Sequence, residues 1–167
     1  EAPGVPALGR GDAFSDAGWI RPASGRPACV LSKNDDAEGL RGFDLMLRKG
    51  KAVVHLINTW KSDAIQIVTE QSVSTNRWRH VVVTYDGSSR AAGIKIYFDG
   101  VPQPVDVRLD HLTGPIKTDH PLRTGRRSTS AAFEGLIDDV RLYDRALSAD
   151  EARPAATSQL LRVLLAA

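Results

Sequence analysis

The carboxylates, imidazoles and tryptophans of this chain set the chemistry that it could do. Cleavage of a glycosidic bond needs two carboxyl groups flanking that bond. On one strand this takes alternating acids, as in E-x-D-x-x-E, and none of Glu1, Glu38, Glu70, Glu134 and Glu151 starts such a pattern. Asp138 and Asp139 are adjacent, so a regular strand would turn them to opposite faces. His55, His80, His111 and His120 have no elbow-type serine motif near them, which argues against a Ser-His-Asp hydrolase. One cysteine and no close histidine pair argue against a transition metal. Calcium needs several oxygens, and Asp12, Asp138 and Asp139 are the candidates. The simpler reading of Asp139 is a turn cap or an ion pair with Arg141 or Arg145; Asp35 and Asp36 read as a turn.

Sugar recognition needs an aromatic face and planar polar groups. Trp60 follows a strand in a polar turn with Asn58, Lys61 and Asp63, whereas Trp19 and Trp78 sit in strand-like segments and read as core. His55, Asn58, Arg126 and Arg127 would line the same surface if their strands are neighbours. The alternative is that Trp60 covers a loop and Arg126 and Arg127 form a solvated face.

Composition narrows the class. A chain of 167 residues, 42% hydrophobic, fits one packed domain. The 22 basic residues are offset by 20 acidic ones and are spread along the chain, so nucleic acid is not an expected partner. Cys29 is the only cysteine, which excludes an intrachain disulfide. No apolar stretch is long enough to span a bilayer. The opening Glu1-Ala2-Pro3-Gly4 has no signal-peptide character and reads as part of a larger protein.

The elements that must position these residues are strands. Val81, Val83 and Tyr85 alternate with His80, Val82 and Thr84. Ile94, Ile96 and Phe98 alternate with Lys95, Tyr97 and Asp99, and Asp99-Gly100 predicts a tight hairpin. Pro102 and Pro104 demote the return strand to an edge or a bulged segment. Further strands are predicted at 14–21, 28–33, 43–48, 52–58, 65–69, 122–126 and 132–143, separated by turn residues. Within the last strand the inward phase shifts between Ile137 and Val140, which predicts a bulge at Asp138-Asp139. Ser148-Ala149-Asp150-Glu151 is a capping box for one short helix, with Leu147 and Ala152 placed to staple it and Pro154 to stop it. The apolar run from Gln159 to Ala167 either packs on the domain or opens the next one.

Three segments carry a family resemblance. Arg77-Trp78-Arg79-His80-Val81-Val82-Val83-Thr84-Tyr85-Asp86-Gly87 resembles the W-x-H-V-x-x-T-Y-D-G strand of bacterial laminin-G-like domains. Ile94 to Gly100 resembles the next hairpin of that family, and Phe133 to Ser148 its closing F-x-G-x-I-D-D-V-R-I-Y-x-R-A-L-S segment. Phe43-Asp44-Leu45, His55 to Trp60, Leu112-Thr113-Gly114 and Leu122 to Ser128 resemble a subgroup found in large planctomycete proteins that also carry cytochrome-c-like domains. One departure is Asp16, where the family carries an apolar residue in its first core strand.

The resemblance implies an all-β fold, a two-sheet antiparallel sandwich of the concanavalin A-like jelly-roll type with one short C-terminal helix. The domain is expected over 1–153, with 154–167 as a tail or the start of another domain. A bound structural calcium and an extracytoplasmic location are also what the resemblance implies. Fold does not give function. The expectation from the residues is a non-catalytic binding module for carbohydrate or a cell-surface polymer, contacting it through Trp60, Asn58, His55 and Arg126, within a larger exported protein. The alternative is a structural or protein-interaction module with no sugar ligand, partnered by neighbouring domains.

Overall fold

A computed structural model of the chain describes residues 7–37, 39–127 and 131–153. In chain order the strands are β1 (Phe14–Pro22), β2 (Ala28–Asp35), β3 (Arg41–Arg48), β4 (Lys51–Thr59), β5 (Asp63–Ser72), β6 (Arg79–Tyr85), β7 (Ile94–Phe98), β8 (Val101–Pro102), β9 (Val105–Asp110), β10 (Arg123–Thr124) and β11 (Gly135–Tyr143). One short helix, α1 (Ala149–Ala152), follows. The strands form two antiparallel sheets, a five-stranded one in the order β11-β1-β6-β7-β8 and a six-stranded one in the order β10-β2-β3-β4-β5-β9.

Alternation assigns the faces. Phe14, Ile20, Val81, Val83, Tyr85, Ile96 and Phe98 of one sheet meet Phe43, Leu45, Leu56, Ile65 and Ile67 of the other in one buried cluster. Phe14 is its aromatic hub, 4.8 Å from the Phe43 ring and 5.5 Å from Tyr85 between centroids. Each such side chain, fully buried, contributes about 1.5–3 kcal/mol of apolar transfer free energy. Asp16 breaks the pattern. It points into this core, against a small void lined also by Ile20, Val30, Leu31, Leu45 and Val81. Burial lifts its carboxyl from 3.8 to about 7.

The outer face of the five-stranded sheet is closed by the C-terminal segment. Leu147 and Ala152 cover Ala17, Val82 and Tyr97. Ser15 Oγ donates to the Arg145 carbonyl and accepts from Leu147 N–H, both at 2.9 Å, which stitches β1 to that segment. The Ser148–Glu151 capping box is present in full.

The predicted bulge is also present. Ala17 pairs with Arg141 and Trp19 with Asp138, so Gly18 alone opposes Asp139 and Val140. Asp139, one of the two bulged residues, takes a left-handed φ of +49°. At the Asp99-Gly100 turn both φ values are positive, 51° and 78°.

Three strand expectations need correction. The segment 122–126 contributes only Arg123 and Thr124 to the ladder, because Gly125 turns the chain away at φ +75°. The last strand begins at Gly135 rather than at 132. Val105–Asp110 is a strand that the reading of the prolines passed over, although Val105, Val107 and Leu109 alternate with Asp106, Arg108 and Asp110. The expected tail 154–167 lies outside the described residues.

Candidate binding face

Between the two sheets lies the core, so the outer face of the six-stranded sheet is what β2 to β5 present to a ligand. That face starts as an apolar patch, in which Cys29, Met46 and Val53 cluster with Val68 and Ala131. Farther along the strands it becomes polar. Asp44 on β3 stands directly opposite His55 on β4, which in turn stands opposite Gln66 on β5. Asp44 Oδ1 meets His55 Nδ1 at 2.7 Å. Asp44 Oδ2 accepts from Arg127 Nε at 3.1 Å and Nη2, and from Asn34 Nδ2 at 3.2 Å. Gln66 Nε2 donates to His55 Nε2 at 2.9 Å, which leaves the imidazole proton on Nδ1, facing Asp44. Burial alone would raise the Asp44 carboxyl, but His55 and Arg127 outweigh it and hold the group below its ordinary range.

This network places the predicted ligand residues differently from expectation. His55 is fully buried, so it supports the face from below instead of lining it. Its ring lies 5.0 Å from Trp60, edge to face at 80°. Trp60 is half-buried, and its backbone N–H donates to the Gly39 carbonyl at 2.9 Å. Asn58 is also drawn inward, because its Nδ2 donates to Asp63 Oδ2 at 2.8 Å. The same Asp63 carboxylate accepts from Thr113 N–H at 2.6 Å and Gly114 N–H at 2.9 Å, so this pair pins the loop after β9. Partial burial would raise Asp63, yet these donors keep it low. Arg126 is exposed, and its carbonyl accepts from Ser32 Oγ at 2.9 Å. Its neighbour Arg127, not Arg126, turns into the network.

The tryptophans divide otherwise than expected. Trp19 is buried, its ring 5.1 Å from His80. Trp78 is 43% exposed, because it precedes β6 and lies outside the sheet, so it is not a core residue.

The structure does not bring Asp12 together with Asp138 and Asp139. Asp12 precedes the Phe14 end of β1 and accepts from Gly9 N–H at 2.8 Å, whereas Asp138 pairs with Trp19, five residues along that strand. Both Asp139 oxygens accept from Arg141, each at 2.9 Å. Asp138 Oδ1 accepts from the Asp139 amide at 2.8 Å. Among the described residues no three acidic, histidine or cysteine side chains converge as metal ligands.

Beside the network, at the Lys51 end of the strands, the face opens as a groove. Met46 and Val68 form its floor. Pro27, Ala131 and Arg127 form one wall, and the β3–β4 turn, with Arg48, Lys49 and Lys51, forms the other. Arg127 is among the residues expected on this surface, whereas no site role was expected of Asp44, Gln66 or this turn. A signal existed, since Asp44 and His55 are lone polar residues in the apolar runs of β3 and β4.

The family model described as the concanavalin A-like lectin/glucanases superfamily matches residues 2–153. Among solved structures, the binding domain of Paraclostridial Mosquitocidal Protein 1 superposes with a TM-score of 0.66 at 18% identity, over 92% of this chain and 38% of that one. The botulinum neurotoxin serotype G binding domain gives 0.64 at 18% identity, over 92% and 38%. The heptameric SAP-like pentraxin from Limulus polyphemus gives 0.61 at 15% identity, over 87% and 71%. The chain thus spans well under half of the two toxin binding domains that it resembles, and identities this low speak for the fold.

Proposed function

The chain belongs to the concanavalin A-like lectin/glucanase superfamily, and on that premise we propose that it is a non-catalytic module that binds a carbohydrate or cell-surface polymer on the outer face of its six-stranded sheet, within a larger exported protein. The observation that carries this reading is the groove between Pro27 and the Arg48–Lys51 turn, open to solvent, with the partly exposed Val68 on its floor beside the buried Met46. An apolar floor with polar walls suits a pyranose, whose C–H faces pack while its hydroxyls bond outward. Trp60, on the far side of the buried network, adds an aromatic plate fixed by His55.

Two further observations support it. The buried carboxylate of this face, Asp44, is closed off by Arg127 and His55, and among the described residues no second carboxyl bonds into that network. Toxin binding domains and a pentraxin share the fold. No described helix is long and apolar enough to cross a membrane, and the proposed location is extracytoplasmic. A second reading, a protein-interaction module, draws on Leu136 and Val140, 52% and 38% exposed on the edge strand β11.

The test is a polysaccharide array probed with the 167-residue chain and with Trp60→Ala, both shown folded by circular dichroism. Binding that Trp60→Ala weakens is expected. A folded chain that retains no polysaccharide sinks the proposal and favours the second reading.

A further inference from the structure

Resting on that carbohydrate reading, we infer that the groove selects an anionic polysaccharide, one whose sugars carry carboxylate or sulfate groups. The turn between β3 and β4 reads Arg48-Lys49-Gly50-Lys51. Arg48 and Lys51 pair directly across the hairpin. Both continue the alternation that puts Met46 and Val53 on the outer face, so two like charges stand side by side, an arrangement that works against the sheet. Lys49 sits at φ +52°, a turn position where Asn, Asp or Gly is the usual choice. Three cations are therefore held at one rim by a turn that folding alone would fill otherwise.

Their charge is not compensated locally. Among the described residues, Arg48, Lys49 and Lys51 enter no ion pair. Among the described residues no carboxylate lines the groove. Arg127, the fourth cation there, is already bound to Asp44. The whole chain carries a net charge of only +2, so the positive potential here is a local concentration rather than a general property. A concave wall focuses such a potential, and the partner that it attracts is an anion. The apolar floor of Met46 and Val68 fits sugar C–H groups between the charges. Single-stranded nucleic acid is a worse match, because among the described residues no aromatic side chain lines the groove to stack a base.

The experiment measures affinity of the 167-residue chain for polygalacturonate, dextran sulfate, neutral dextran and a single-stranded DNA, at about 50 and about 300 mM salt, across which the Debye length falls roughly two-fold. The probe variant replaces Arg48, Lys49 and Lys51 by Gln together. Lys95→Gln, exposed on β7 of the other sheet, removes a charge elsewhere as the control. Expected results are a preference for at least one acidic polysaccharide over neutral dextran, loss of affinity at the higher salt, at least a ten-fold weakening in the triple variant and no change in Lys95→Gln. Equal binding of neutral and acidic polymers overturns the inference and leaves the carbohydrate reading intact. An unchanged triple variant, or DNA bound as tightly as the polysaccharide, also overturns it. Binding of no saccharide by the folded chain removes both.

Discussion

Asp16→Asn should make the protein more stable, and more so as the pH rises. The carboxyl faces the inter-sheet core, 5% exposed. Desolvation lifts it from 3.8 to about 7. An acid whose folded value is raised is protonated in the native state over a range where the unfolded chain has already released its proton. Stability therefore falls as pH climbs from the unfolded value to the folded one, and levels off above it. At about 1.4 kcal/mol per pH unit, the full window costs about 4 kcal/mol. Asn matches the shape of the neutral acid and does not ionise. The stability gap between the variant and the parent should thus widen by about 2.5 kcal/mol between pH 5 and pH 8. Urea unfolding at these two pH values measures it. Asp44, Asp63, Asp86 and Glu151 are held low and act in the opposite sense, losing stability in acid, but they are common to both proteins and cancel. Parallel curves, with a gap that changes by less than about 0.5 kcal/mol, would refute the placement of an ionisable Asp16 in the core.

Two other outcomes follow from the ion pairs. Asp44→Ala strands the buried Arg127 guanidinium and should cost about 3–5 kcal/mol in urea unfolding, and Asp44→Leu combined with Arg127→Met should recover only part of it, because His55 Nδ1–H and Asn34 Nδ2 still lose their acceptor. Asp139→Ala removes a partly exposed pair with Arg141 and puts Ala at a left-handed position, and should cost about 1–2 kcal/mol, equally in calcium and in chelator; a drop confined to calcium buffer would identify Asp139 as a metal ligand.

The fold was legible because alternation, turn residues and the capping box all act locally. Val81, Val83 and Tyr85 announce their shared face by spacing alone, and Ser148 and Glu151 announce the helix start. Even the bulge at Asp138-Asp139 is readable, since one extra residue inverts the parity of every later side chain. The site was legible only in part. Trp60 was found as an aromatic in a polar turn, but its support by His55 depends on which strands are neighbours. Arg127 reaches Asp44 across 83 positions of sequence, and no local pattern distinguishes it from Arg126. His55 and Asn58 look like surface polar groups by type, yet both are drawn inward by acids that tertiary pairing delivers. Trp78 misled for the complementary reason, because its neighbours are strand-like while it stands just ahead of the ladder.

The pairing of β1 with β11 has a mechanical consequence. Ser15, near the start of the described chain, lies opposite Tyr143, near its end. The two strands therefore share one corner, but the chain does not leave the sandwich there: Leu147 and Ala152 carry it across the outer face, and Arg153 lies against Gly100 at the far end of the sheet. Tension applied beyond Arg153 would have to strip this docked segment and break its two bonds to Ser15 before it could peel β11 from β1 rung by rung. The segment thus works as a clasp that shields the corner from load.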